Sequence, residues 1–316
     1  MQEQGFRHWD RICIIGLGSQ GLAWASNLTD SSRKVDIFLR APTSYQNILD
    51  KKKLKLASSL EVYDLLLLLI PDDQHASFLK ENINKIKPGT SIIYGHGASM
   101  VEHNLNEKYP KLNHILLAPK AIASEVRFQY ENSGKLGAVY STEFTDNLYS
   151  KEIHQETLKL AKDLGITAGP FETSFYQEAC ADLFSEQSLL CGLIPHAAKH
   201  SFDALLARGF APELAYMECW LEVKLIADTM VKKGPSGLFD LISPHALKGS
   251  ELAQKRFFDK EYHKTLERLL SGIEDGSFFK EANAIDAKEL KNKYREYWSS
   301  SKLQLVHDKL KEDLVP

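Results

Sequence analysis

The chain has 316 residues, of which 43% are hydrophobic and 26% charged, with a formal net charge of -3. That is enough for two domains with their own cores, and the near-neutral balance gives no reason to expect nucleic acid or a membrane surface as partner. Cys13, Cys180, Cys191 and Cys219 sit in apolar patterns without paired metal spacing and read as reduced core residues of a cytoplasmic protein.

Met1 to Asp10 is polar, so no leader peptide is expected, and the most apolar stretch, Leu65 to Ile70, is too short to span a bilayer. Ile12 to Ile15 reads as a buried parallel strand. It feeds into Gly16-Leu17-Gly18-Ser19-Gln20-Gly21, and a helical pattern follows. The first glycine permits a tight turn, the second admits a pyrophosphate to the backbone, and the third lets helix and strand pack closely. N–H groups at the helix start then attract the phosphates. Gly16, Gly18, Ser19, Gln20 and Gly21 are therefore expected to bind a dinucleotide.

The next strand, Val35 to Leu39, runs into Arg40, with Thr43 and Ser44 close behind. An NAD site wants an acid there for the ribose 2′-hydroxyl, whereas a guanidinium and two hydroxyls suit a 2′-phosphate, so NADPH is expected over NADH. Further strands are expected at Tyr63 to Ile70, Ser91 to Tyr94, His114 to Leu117, Ala138 to Ser141 and Ile166 to Ala168. Their carboxyl ends, where ligands bind in open α/β sheets, bring in Asp72 and Gly97 as cofactor-side positions and His96 and Lys120 as catalytic candidates. A histidine can shuttle protons there, and a lysine can polarise a carbonyl. His75, His103 and His114 read as ordinary loop, helix or strand residues.

Gly169 to Thr173 reads as the junction between an α/β Rossmann domain, 1–172, and an all-α domain, 173–316. Helices are expected at 174–190, 192–208, 212–233, 250–257 and 261–275, followed by a stretch rich in lysine and glutamate. Asp182 with Glu186, and Glu218 with Glu222, are spaced four apart and so share a helix face. The stripes continue through Leu189, Leu190 and Leu193, and through Leu214, Ala215, Leu225 and Ile226, which points both pairs inward. Inward carboxylates with few basic neighbours call for a hard cation such as Mg²⁺, unless each pair lines a wet groove.

As a set, three motifs resemble ketol-acid reductoisomerase: Gly16 to Gly21, Asp182 to Gln187 with Leu190-Cys191-Gly192, and Ala215 to Cys219 extended by Glu222 and Lys224 to Ile226. The resemblance runs from Arg11 to Gly276 and implies the short form of that enzyme. It implies an NADPH-binding Rossmann domain and an entangled helical domain that dimerises, or assembles further, so that two subunits build each site. By motif position Asp182, Glu186, Glu218 and Glu222 would hold two Mg²⁺ ions, Ser243 would contact substrate, and His96 and Lys120 would be active-site residues. The implied substrates are acetohydroxy acids, 2-acetolactate or 2-aceto-2-hydroxybutyrate, isomerised and then reduced. The chain departs from the family at Ala121 to Glu125, at Ala98 to Val101 and at Pro244-His245, and the tail from Asp286 to Pro316 has no evident counterpart. These departures leave a reductase without isomerase activity, or a non-catalytic NADP-binding relative, as alternatives.

Overall fold

A computed structural model describes residues 8–146 and 148–314. The outer ends of the two expected domains, residues 1–7 and 315–316, lie outside the described residues, as does most of the Met1 to Asp10 stretch. The chain divides into two compact units, Met1–Cys180 and Ala181–Pro316. The boundary falls within a helix, later than the expected junction at 172/173.

The first unit holds eight strands: β1 (Ile12–Ile15), β2 (Val35–Phe38), β3 (Lys55–Leu56), β4 (Leu65–Leu68), β5 (Ser91–Tyr94), β6 (Asn113–Pro119), β7 (Gly137–Phe144) and β8 (Ala168–Glu172). They form one sheet in the order β3-β2-β1-β4-β5-β6-β7-β8, parallel except where β7 runs against β6. Its helices are α1 (Ser19–Asp30), α2 (Gln46–Lys52), α3 (His75–Asn82), α4 (Ala98–His103), α5 (Leu105–Lys108), α6 (Ala123–Glu131), α7 (Ser150–Asp163) and the start of α8 (Phe175–Ser185).

Strands β1 and β4 are apolar at every position, as suits a sheet with helices on both faces. Alternate residues go to opposite sides. Ile12, Ile14, Leu65 and Leu67 join Trp24, Leu28, Val126, Ile153 and Leu160, whereas Cys13, Ile15, Leu66 and Leu68 join Phe78, Leu79 and Met100. Chain order reverses between β1 and β4, which makes their carboxyl ends the switch-point crevice where a dinucleotide binds in such sheets.

Gly169 to Thr173, expected as the junction, mostly forms β8, paired in parallel with β7. Pro170 is tolerated because β8 is the edge of the sheet, where a missing N–H breaks no ladder. Strand β3, only two residues long, is too short to leave a periodic signal.

The second unit is helical: the end of α8, then α9 (Leu193–Ala207), α10 (Pro212–Tyr216), α11 (Glu222–Phe239), α12 (Pro244–Phe257), α13 (Lys260–Glu274), α14 (Ser277–Asn283), α15 (Ala287–Ser299) and α16 (Lys302–Leu314). Its buried centre is small: Phe202, Ala215, Tyr216, Leu303 and Val306. The tail belongs to that core. The Tyr216 hydroxyl meets His307 Nδ1 at 2.8 Å, and Lys309 pairs with Glu213 at 2.6 Å. No helix among the described residues is long and apolar enough to cross a membrane.

His114 on β6 is sealed beneath the sheet. Its Nε2 donates to the Tyr109 carbonyl at 3.1 Å, which leaves Nδ1 to accept from the Tyr94 hydroxyl at 2.9 Å. Burial pulls its pKa down from 6.5 to about 4, with the Tyr109 carbonyl resisting in part. Between those pH values only the unfolded chain takes up this proton, so the contribution to stability is whole above pH 6.5 and is lost as the pH falls toward 4. Urea titrations of wild type and His114→Gln at pH 7 and pH 4 should differ by about 3 kcal/mol in their loss of stability, the wild type losing more. Equal losses would mean that the ring is not buried neutral.

Candidate functional site

The glycine turn meets the steric demands of a dinucleotide site. Gly16 has φ +94°, and a Cβ there would stand 2.6 Å from Ile70 Cγ2, at the end of β4. A Cβ on Gly21 would stand 2.5 Å from the Gly16 carbonyl oxygen. Gly18, by contrast, has nothing within 4 Å on that side, which is the open approach a pyrophosphate needs. Ser19 opens α1, whose first turn carries no acidic side chain, so its positive end is uncompensated. Gln20 Nε2 donates to the Ala121 carbonyl at 3.3 Å, tying the turn to the loop after β6.

Beyond β2, Arg40 is exposed and stands 3.9 Å from Glu81, a pairing between two solvated side chains that holds the guanidinium only weakly. Thr43 and Ser44 are exposed on the short turn Pro42–Tyr45.

At the ends of β4, β5 and β6 several polar groups gather around Glu178, a residue of α8 that is 3% exposed. Its Oε1 takes Lys120 Nζ at 2.6 Å, and its Oε2 takes the Gly97 N–H at 2.6 Å. His96 stands between two carboxylates, with Nε2 at 3.8 Å from Glu178 Oε2 and Nδ1 at 3.8 Å from Asp72 Oδ1. Gly97 is glycine for a packing reason: a Cβ would stand 2.5 Å from the Phe175 carbonyl oxygen and 2.9 Å from Glu178 Oε2. On its Cβ side Gly97 is closed by α8.

His75, expected as an ordinary loop, helix or strand residue, lies close to this group. It opens α3, is buried, and bonds Ser99 Oγ at 2.7 Å and the Ile70 carbonyl at 3.0 Å. Burial lowers its pKa, opposed in part by the charge of Asp72, so it is neutral near pH 7.

In the helical unit, Asp182 lies on α8 and Glu186 opens a π-helical turn, Glu186–Leu190. Glu218 sits in a second π turn, Met217–Leu221, and Glu222 starts α11. Such turns inside α-helices often mark functional positions. The first one relies on Gly192, where a Cβ would run into the Gln187 carbonyl oxygen.

The inward orientation expected for the acid pairs holds only in part within one chain, where Asp182 is half-buried and Ala215 on the second stripe is buried. Leu189, Leu190, Leu214, Leu225 and Ile226 on their stripes are exposed, as are Glu186, Glu218 and Glu222. Among the described residues of a single chain these four acids do not form a metal-sized cluster. The reason is physical: one copy has too small a helical core to cover both stripes.

The donor chemistry nevertheless fits a hard cation, since every member is a carboxylate. Cys191, which is exposed rather than core, has its pKa raised by burial of the thiol and then by Glu186 and Asp182. Cys219, partly exposed, is raised by burial and Glu218. Both remain thiols at neutral pH and offer no soft thiolate ligand. Ser243 is exposed and caps α12, its hydroxyl accepting from the Ala246 N–H at 3.2 Å.

The residue that sequence reasoning missed is Glu178. Its signal was present, since Glu178, Asp182 and Glu186 form a stripe at steps of four, the first member falling in the Rossmann unit and the others in the helical unit.

Two family models match nearly the whole described chain. Residues 8–169 match the acetohydroxy acid isomeroreductase NADPH-binding domain, and residues 175–314 match the ketol-acid reductoisomerase C-terminal domain. The second match extends to the last described residue, so the tail does have a counterpart in the family. Among solved structures, an NADH-preferring ketol-acid reductoisomerase from an uncultured archean is similar over 97% of this chain and 95% of its own, at 24% identity and a TM-score of 0.84. A semialdehyde dehydrogenase NAD-binding protein from Cupriavidus necator is similar over 85% of this chain and 99% of its own, at 17% identity and a TM-score of 0.67. A 1-pyrroline-5-carboxylate reductase from Streptococcus pyogenes is similar over 84% and 98%, at 14% identity and a TM-score of 0.54. With both of its units matched in order, this chain belongs to the ketol-acid reductoisomerase family and is an NAD(P)-dependent oxidoreductase.

Proposed function

We propose that the protein is a cytoplasmic ketol-acid reductoisomerase that isomerises 2-acetolactate or 2-aceto-2-hydroxybutyrate and reduces the product with NADPH, using two Mg²⁺ ions. The observation that carries this reading is the buried Glu178 carboxylate that gathers Lys120, Gly97 and His96 at the strand ends. The Gly16–Gly21 turn and α1 cradle the pyrophosphate, and Asp72 lines the cofactor cleft. Arg40, with Thr43 and Ser44, takes the 2′-phosphate.

Asp182, Glu186, Glu218 and Glu222 hold the ions, and Ser243 contacts the substrate. Bound divalent ions supply Lewis acidity that lowers the substrate hydroxyl's pKa and polarises its carbonyl, and the nicotinamide supplies hydride. Lys120, its ammonium fixed by Glu178, steadies negative charge developing on substrate oxygen. His96 moves the proton through its imidazole.

The exposed apolar stripes beside both acid pairs fit burial against a second copy, so the working form is a homodimer or larger homo-oligomer with shared sites. A second reading, reduction without isomerisation, is favoured by the loop after Lys120. There Ile122 is 74% exposed beside Ala121 and Ala123, an apolar stretch that Gln20 ties to the glycine turn through the Ala121 carbonyl. The cofactor alternative is NADH, the preference of the archaeal relative.

NADPH oxidation with 2-acetolactate and with 3-hydroxy-3-methyl-2-oxobutyrate, with and without Mg²⁺, separates these readings. The proposal expects Mg²⁺-dependent turnover of both. Turnover of the keto acid alone removes the isomerase step, and turnover of neither leaves a non-catalytic relative. For the cofactor, Arg40→Ala should raise the KM for NADPH about tenfold or more and leave that for NADH nearly unchanged. Equal effects on both would remove Arg40 from 2′-phosphate recognition.

A further inference from the structure

The proposed function uses Asp72 only as part of the cofactor cleft. Its surroundings give it a second role. His75, 2% exposed, has Nε2 at 3.0 Å from the Ile70 carbonyl, which can only accept, so the proton of the neutral ring is on Nε2. Nδ1 is then a lone pair, and the Ser99 hydroxyl fills it at 2.7 Å. His75 therefore has no proton to give Asp72, although its Nδ1 stands 3.8 Å from Asp72 Oδ1.

That Oδ1 is buried and has no hydrogen-bond partner. Buried acceptors are rarely left without a donor. The other imidazole beside it is His96, whose Nδ1 is also 3.8 Å away. On the opposite side of the His96 ring, both oxygens of Glu178 are engaged, one by Lys120 and one by the Gly97 N–H. Asp72 is thus a carboxylate beside His96 with a buried oxygen that no donor fills. Its rival for His96 Nδ1 is the Ala98 N–H at 3.3 Å, a long bond from a neutral group.

We propose that Asp72 is a positioning residue for His96. Its Oδ1 receives a proton carried on His96 Nδ1 and so sets the imidazole with Nε2 toward Glu178. His75, pinned between Ser99 and Ile70, stands beside the same oxygen with no proton to offer it. The logic is that of a base oriented by a third group. The proposed function enters only in what His96 then does at Nε2; the orientation of the ring stands without it.

The test is ¹⁵N NMR of the full chain labelled at histidine, near neutral pH, with His96 assigned by its loss in His96→Gln. Wild type should show a protonated, pyrrole-type His96 Nδ1. Asp72→Ala should convert it to the pyridine type as the Ala98 N–H takes over, and Asp72→Asn, whose carbonyl oxygen can still accept, should restore much of the wild-type signal. Unchanged His114 resonances report that the fold is intact; if Asp72→Ala disturbs them, Asp72→Asn carries the test by retaining the pyrrole-type signal. A pyridine-type Nδ1 in wild type, or a pattern indifferent to Asp72→Ala, overturns the proposal. In turnover of 3-hydroxy-3-methyl-2-oxobutyrate at saturating NADPH, Asp72→Ala should lose about tenfold or more with Asp72→Asn intermediate. If the NMR responds as expected while wild type turns over neither substrate, the proposed function fails and the positioning role stands.

Discussion

A lysine ammonium against a buried carboxylate, Lys120 on Glu178 at 2.6 Å, is the constraint from which the candidate site is built. Glu178 is almost fully enclosed, and taking its charge out of water costs several kcal/mol unless partners compensate. Two do so at once: an ammonium from the end of β6 and a backbone N–H from the turn after β5. The carboxylate therefore pins α8 across the ends of two neighbouring strands. It also explains Gly97, since any side chain there would collide with the helix that brings Glu178 in. His96 and Asp72 then line up along the same strand-end ridge, next to the glycine turn.

The helical unit obeys a different constraint. Its buried core is small, and its acid-bearing helices present leucines and isoleucines to solvent. Contiguous exposed apolar area marks a surface that a partner or ligand covers, and here it lies next to a set of hard oxygen donors. The two π turns fall at the acid pairs, where a widened turn re-aims side chains at the cost of regular hydrogen bonding. Gly192 lets the first of them close.

Much of this was legible in the sequence. The strand–glycine–helix motif carries its own steric explanation, and the structure repeats it at Gly16, Gly18 and Gly21. Parallel strands buried on both faces read as continuous apolar runs, which is why β1, β4 and β5 fell where the pattern put them. Other features were illegible for identifiable reasons. Strand β3 is too short to show a period, and β8 contains a glycine and a proline, which read as a break. Glu178 was hidden because an acid at helical spacing is usually solvated; only its tertiary partners reveal a buried anion. The tail read only as a stretch rich in lysine and glutamate, yet its apolar residues Leu303 and Val306 close the small helical core. The direction of the acid stripes could not be read from one chain's periodicity, because periodicity reports that a face is apolar and not which molecule covers it.

The claim that organises the rest is that the negative charge of Glu178, rather than its shape, assembles the reacting groups. Glu178→Gln keeps the size of the side chain and can still accept from the Gly97 N–H, but it removes the charge that fixes Lys120. The direct measurement is the steady-state turnover of 3-hydroxy-3-methyl-2-oxobutyrate by this variant, alongside its NADPH affinity. The account expects NADPH affinity within a few-fold of wild type and turnover lower by about a hundredfold or more. Turnover within a few-fold of wild type would contradict it.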